Sequence, residues 1–123
     1  MSGVGNICIA RVYDDAAETV GARLLVDRVW PRGVGKTKLR HDAWIPEVAP
    51  STDLRKWFGH TPAKWEGFIR RYREELAANP EAVDRCLAWC REGPVVLLYS
   101  AKDRDHNQAL VLRDYLRERI AAE

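Results

Sequence analysis

Apolar positions cluster in the first part of this chain as short runs and recur at helical spacing in the second. Ile7 to Tyr13 (Ile-Cys-Ile-Ala-Arg-Val-Tyr) reads as a strand, rich in β-branched residues and ended by Asp14-Asp15. Asp14 to Gly21 is expected as a loop or a short helical turn. Arg23 to Trp30 predicts a second strand, stopped by Pro31 and Gly33. Val34 to Asp53 has no clear period; a short strand fits near Trp44-Ile45, and the rest reads as a long loop. Loops of that length in a compact domain often carry function.

Beyond it the period changes. Thr61-Pro62 is an N-cap followed by proline in the first helical turn, and Trp65, Phe68, Ile69, Tyr72 and Leu76 then fall on one helical face. Asn79-Pro80 repeats the signal and opens a second helix. Its buried stripe is Val83, Cys86, Leu87 and Cys90, and Gly93-Pro94 ends it. Val95 to Tyr99 is a continuous apolar run, suited to a strand buried on both faces. A polar loop from Ser100 to His106 leads into a last helix reaching about Ala121, with Ala109, Leu112, Leu116 and Ile120 along one side. The order strand, strand, helices, strand, helix predicts a small single-domain α/β fold over residues 1–123, with its core between about 7 and 120. Its mostly parallel sheet is expected to be flanked by helices, as in a Rossmann-like three-layer sandwich.

Composition narrows the function classes. Hydrophobic residues make up 46% of the 123 residues and charged ones 31%, an ordinary globular balance. The formal charge of +2 is too mild to mark a nucleic-acid binder by itself. Five tryptophans is a high number for this length and places several in the core or along a cleft. Three cysteines, Cys8, Cys86 and Cys90, do not form a disulfide framework and fit a reducing compartment. The first residues lack the pattern of a signal peptide, and no apolar run is long enough to span a bilayer, so no membrane association and a cytoplasmic location are expected.

Candidate chemistry lies in two segments. Trp30-Pro31-Arg32-Gly33 follows a predicted strand ending in Asp27-Arg28, and Lys36, Lys38 and Arg40 come soon after. Ligands of open α/β sheets bind beyond the carboxyl ends of the strands, where an arginine beside a glycine offers a planar fork to phosphate or carboxylate. The structural alternative is a plain turn with Arg28 paired to Asp42 or Asp27. The second segment, Ser100 to Asn107, leaves the last strand and enters the last helix, where Lys102, Arg104 and Asn107 suit an anion. Its structural alternative is that Asp103 or Asp105 caps the helix. Gly35-Lys36-Thr37 resembles the end of a phosphate-binding loop, but Trp30 stands where that motif needs its first glycine. His41, His60 and His106 have no partners at metal-ligand spacing, so neither metal nor cofactor is implied. Ser51 and Ser100 lack the context of a nucleophile elbow, and Cys8 reads as a packing residue.

Leu25-Val26-Asp27-Arg28-Val29-Trp30-Pro31-Arg32-Gly33 resembles the hallmark of the YeaO-like proteins, part of domain-of-unknown-function family 488. Ala49-Pro50-Ser51, Leu54-Arg55-Lys56-Trp57-Phe58, and Leu97 to Asp103 running into His106-Asn107 resemble its other blocks, so the similarity spans about Ile7 to Ile120. The resemblance implies a compact bacterial α/β domain and no particular activity. More distant relatives carry Cys-His-Arg after the last strand, where this chain reads His106-Asn107-Gln108, so no cysteine chemistry carries over.

Three function classes follow. The favoured one binds, or acts on, a small anionic ligand of phosphate or nucleotide type at the strand ends. It draws on Arg28, Trp30, Arg32, Trp44, Tyr99, Lys102 and Asn107, with Asp27 or Asp103 as general base if a proton is moved. A nucleic-acid-associated module would instead use Arg28, Arg32, Lys36, Lys38, Arg40, Arg55 and Lys56, with Trp57 or Trp44 stacking on bases. A protein-interaction domain without a ligand would pair through Trp57, Phe58 and Trp65. The residues leave open whether a reaction is catalysed and whether the chain is a monomer or a homodimer.

Overall fold

The computed structural model describes residues 6–13, 21–35 and 39–123. Four parallel strands form one sheet: β1 (Ile7–Arg11), β2 (Ala22–Leu25), β3 (Ala43–Trp44) and β4 (Val95–Tyr99), in the order β1-β4-β2-β3. Four α-helices accompany them among the described residues: α1 (Thr52–Phe58), α2 (Trp65–Ala77), α3 (Pro80–Glu92) and α4 (Gln108–Ala121). The chain is thus a small α/β domain with a parallel sheet flanked by helices, as its sequence pattern predicts. The expected loop at residues 14–20, and Lys36 to Lys38, lie outside the described residues.

Strand alternation divides the core. Ile7, Leu24, Val95, Leu97 and Tyr99 face a large cluster to which all four helices contribute, including Phe58, Phe68, Tyr72, Leu87 and Leu112. Ala10, Leu25, Val96 and Leu98 point to the opposite face. There the described cover comes from the segment after β2, through Trp30, Val34, Leu39 and Trp44. β4 is buried along its whole length, which explains its lack of polar positions.

The second strand is shorter than its apolar pattern suggests. Pairing continues only through Val26 N–H to Leu98 O at 3.1 Å, after which Asp27 and Arg28 turn away from the sheet. The long stretch read as loop holds β3, a 3-10 turn at Pro46–Val48, and α1. Ser51 caps α1 by accepting from Leu54 N–H, and its own N–H and hydroxyl donate to Glu75. Asn79 is not a side-chain cap of α3; its amide donates instead to Glu47 O at 2.8 Å. Tyr72, fully buried on α2, donates to Val48 O at 2.6 Å and ties the helix layer to the 46–50 segment. Among the described residues, no helix is long and apolar enough to cross a membrane.

Candidate functional site

The carboxyl ends of β2 and β4 open into a cavity of about 500 Å³. Three segments wall it: Asp27 to Arg32 after β2, Ala49 to His60 around α1, and Ser100 to Gln108 between β4 and α4. Phe58 and Phe68, with ring centroids 4.7 Å apart, form its apolar floor. Arg28, Arg32, Arg55 and Lys56 supply its basic side chains. His60 joins them after two successive left-handed residues, Gly59 at φ 51° and His60 itself at φ 55°. A non-glycine residue in that conformation carries local strain, which is concentrated at functional sites in proteins.

Among the described residues Asp27 is the one acidic side chain in this wall, and it is consumed by the protein. One carboxylate oxygen accepts from Ser100 N–H at 3.1 Å and Ser100 Oγ at 2.5 Å. The other accepts from Gln108 Nε2 at 2.5 Å. Burial pushes its pKa up, and these hydrogen bonds to the ionised form pull the other way. Asp27 therefore latches the ends of β2, β4 and α4 together at the base of the cavity. Its backbone carbonyl accepts from Trp44 Nε1 at 2.8 Å, which fixes the turn from the other side.

Of the nine site residues named from sequence, Asp27, Arg28, Trp30, Arg32 and Asn107 come together at the cavity. Arg28 is not paired to Asp42 or Asp27. Its Nε and Nη2 donate to Pro50 O at 3.0 Å and Ala49 O at 2.9 Å, so part of its fork holds the wall in place. Asn107, rather than Asp103 or Asp105, caps α4: its Oδ1 accepts from Leu110 N–H and its amide donates to Asp103 O and Arg104 O. Trp44 packs edge-on against Trp30 at 5.4 Å on the opposite face of the sheet. Tyr99 is buried in the helix-side core. Lys102 is exposed and outside the cavity wall. Asp103 also lies outside that wall, where its oxygens accept from Asp105 N–H and His106 N–H and lie 2.9 Å from His106 Nδ1. The backbone N–H of Asp105, then His106, holds its carboxyl below the usual range.

Several wall residues were not named for a pocket. Arg55 and Lys56 are projected by α1, whose cap and Leu54/Phe58 spacing are visible in the sequence. Ser100 and Gln108 meet Asp27 across 73 and 81 residues, and nothing local signals it. His106 lies edge-on to Trp65 at 5.3 Å. Two other expectations need correction. Cys8 is exposed, although alternation along β1 gives it the same face as Ala10, so it is not a packing residue. Phe58 is buried, and Trp57 and Trp65 are half-buried against the helix core, so they do not form an exposed aromatic patch. Among the described residues, no three His, Cys, Asp or Glu side chains converge as metal ligands would.

The family model described as the inactive DUF488-N3 subclade matches residues 6–123. The uncharacterized protein YeaO of Escherichia coli (strain K12) is 46% identical over 112 residues, covering 91% of this chain and 97% of that protein. An uncharacterized protein of Mycobacterium tuberculosis (strain ATCC 25618 / H37Rv) is 47% identical over 71 residues, covering 58% of this chain and 60% of its own length. No solved structure matches the chain.

Proposed function

Because the chain belongs to the inactive subclade of the DUF488-N3 family, we propose that it binds a small anionic ligand at the ends of β2 and β4 without turning it over. The observation that carries this reading is the convergence of Arg28, Arg32, Arg55 and Lys56 on one concave wall whose one carboxylate among the described residues is already hydrogen-bonded three times. Four cations around a partly apolar cavity focus the field inward and raise the local concentration of anions. A volume of about 500 Å³ lies within the usual range of small-molecule sites, roughly 300–1,000 Å³. The same charges spread on a flat face would favour a nucleic-acid backbone; a concave site with a phenylalanine floor favours a compact ligand.

The family description supports binding over catalysis, and so does the state of the two general-base candidates. Asp27 is committed to Ser100 and Gln108, and Asp103 stands outside the wall, engaged with its own loop.

A thermal-shift screen with phosphate, nucleotides, phosphosugars and short single-stranded DNA tests the reading, since any ligand of the native state raises its melting point. A selective shift with a small phosphate compound, lost in Arg32→Ala while the unliganded melting point stays put, is the expected result. Silence toward every small anion would sink it. A response confined to DNA, collapsing steeply with added salt, would favour the nucleic-acid module instead.

A further inference from the structure

Arg11, the last residue of β1, does not line the cavity, yet its side chain reaches the loop that does. Its Nε donates to Ala101 O at 2.8 Å and its Nη2 to Ser100 O at 3.3 Å. A trans peptide unit points its C=O and its N–H in opposite directions. With both carbonyls drawn toward Arg11, the N–H groups of Ala101 and Lys102 are turned away from it. Neither donates to an acceptor among the described residues, whereas the N–H of Ser100 is taken by Asp27. Ser100 and Ala101 form part of the cavity wall.

We propose that the backbone N–H groups of Ala101, in this wall, and of Lys102, the next residue at its rim, form an anion-binding nest held open by Arg11, and that the site takes the terminal phosphoryl group of a small phosphate monoester. The proposal rests on the anion-pocket reading and adds which atoms bind and which ligand class they select. Successive backbone N–H groups sharing one direction make a concavity for an anion, and it is preorganised when their carbonyls are already fixed. Donors then approach from three elements: the loop after β4, Arg32 from the turn after β2, and Arg55 with Lys56 from α1. A phosphoryl group presents three terminal oxygens in three directions, one for each set. A carboxylate presents two in a single plane and leaves one set unmatched. The phosphoryl group fills only part of the cavity, and Val29, Pro31 and Phe58 supply apolar surface for the rest of the ester. Arg11 is a positioning residue: it acts through the loop and does not touch the ligand.

Titrating the 15N-labelled protein with inorganic phosphate, glycerol 3-phosphate and acetate tests this. Saturable downfield shifts of the Ala101 and Lys102 amide signals are expected with both phosphates, tighter with the ester, and not with acetate. Arg11→Lys keeps the charge but lacks the fork that holds two carbonyls. It should weaken phosphate binding by roughly tenfold, the effect of losing one charge-assisted hydrogen bond, and shrink those two shifts. Phosphate binding that moves the Arg32 and Arg55 side-chain signals but leaves both amides still would overturn the nest while sparing the pocket. So would an Arg11→Lys protein with wild-type affinity and shifts. Glycerol 3-phosphate binding no more tightly than inorganic phosphate would overturn the ester assignment. No phosphate binding to the wild type at all would sink the pocket reading and this one with it.

Discussion

Replacing Asp27 with asparagine removes a buried charge without removing the latch. In the native protein all three partners of Asp27 are donors: Ser100 N–H, Ser100 Oγ and Gln108 Nε2. Asparagine keeps one oxygen for Ser100 and offers an N–H to Gln108, provided the Gln108 amide turns over to present its oxygen. Burial raises the Asp27 pKa more than its hydrogen bonds lower it. The folded-state value therefore lies above the unfolded one, about 3.9. Between the two values the folded chain holds more protons, so the contribution of Asp27 to stability is greatest below about pH 4. It falls as pH rises through the raised value and is flat beyond. Each unit of displacement is worth about 1.4 kcal/mol. Urea unfolding of wild type and Asp27→Asn from about pH 4 to about pH 8 isolates this term, because the other carboxylates titrate alike in both proteins. The asparagine protein should gain on the wild type as pH rises. Asp27→Ala, which strands the donors, should lose about 1–3 kcal/mol throughout. A wild-type minus asparagine difference that does not change with pH would refute the reasoning. Equal damage from asparagine and alanine would show that Gln108 does not turn over.

Two further results are expected. Tyr72→Phe leaves the buried Val48 carbonyl without its donor and should lower stability by about 1–2 kcal/mol at unchanged denaturant slope; an unmoved urea midpoint would count against it. Burial pushes the Cys86 thiol up to about 12 and the Cys90 thiol up to about 11, whereas Cys8 is exposed. Iodoacetamide near pH 8 should therefore add one group to the native protein, on Cys8, and three in denaturant, as counted by mass spectrometry. Rapid native labelling of either helix cysteine would show that α3 opens locally.

What the chain discloses without its structure depends on how local the cause is. The stripe from Trp65 to Leu76, the Pro80 start of α3 and the apolar run of β4 are each set by neighbours within a few residues, and the elements follow them closely. The Asp27–Arg32 turn was visible because proline, glycine and a strand end mark it. Arg28 was visible as a cation, but its partners at Ala49 and Pro50 were not, since they are backbone carbonyls that any residue would present. The cap of α4 falls on a different residue from the expected one for a related reason. Asp103, Asp105 and Asn107 are all good capping residues, and the choice fell to Asn107 because the oxygens of Asp103 serve the preceding turn. The latch of Asp27 to Ser100 and Gln108 leaves no trace in spacing or composition at all.

The position of β4 governs the order in which this molecule can assemble. Among the described residues β1 pairs only with β4, with Ile7 opposite Val95, and β4 in turn separates β1 from β2. A ribosome releasing the chain from its N-terminus exposes β1 and β2 early, with no strand between them to complete the sheet. Pairing of the two halves waits until Tyr99 has emerged, and the core waits for α4, which supplies Leu112 and Leu116. Closing contacts so distant in sequence is entropically slow, and domains of this kind condense as units. Nearly the whole chain must be made before the sheet can close, and a product truncated before β4 keeps only the two-residue pairing of β2 with β3.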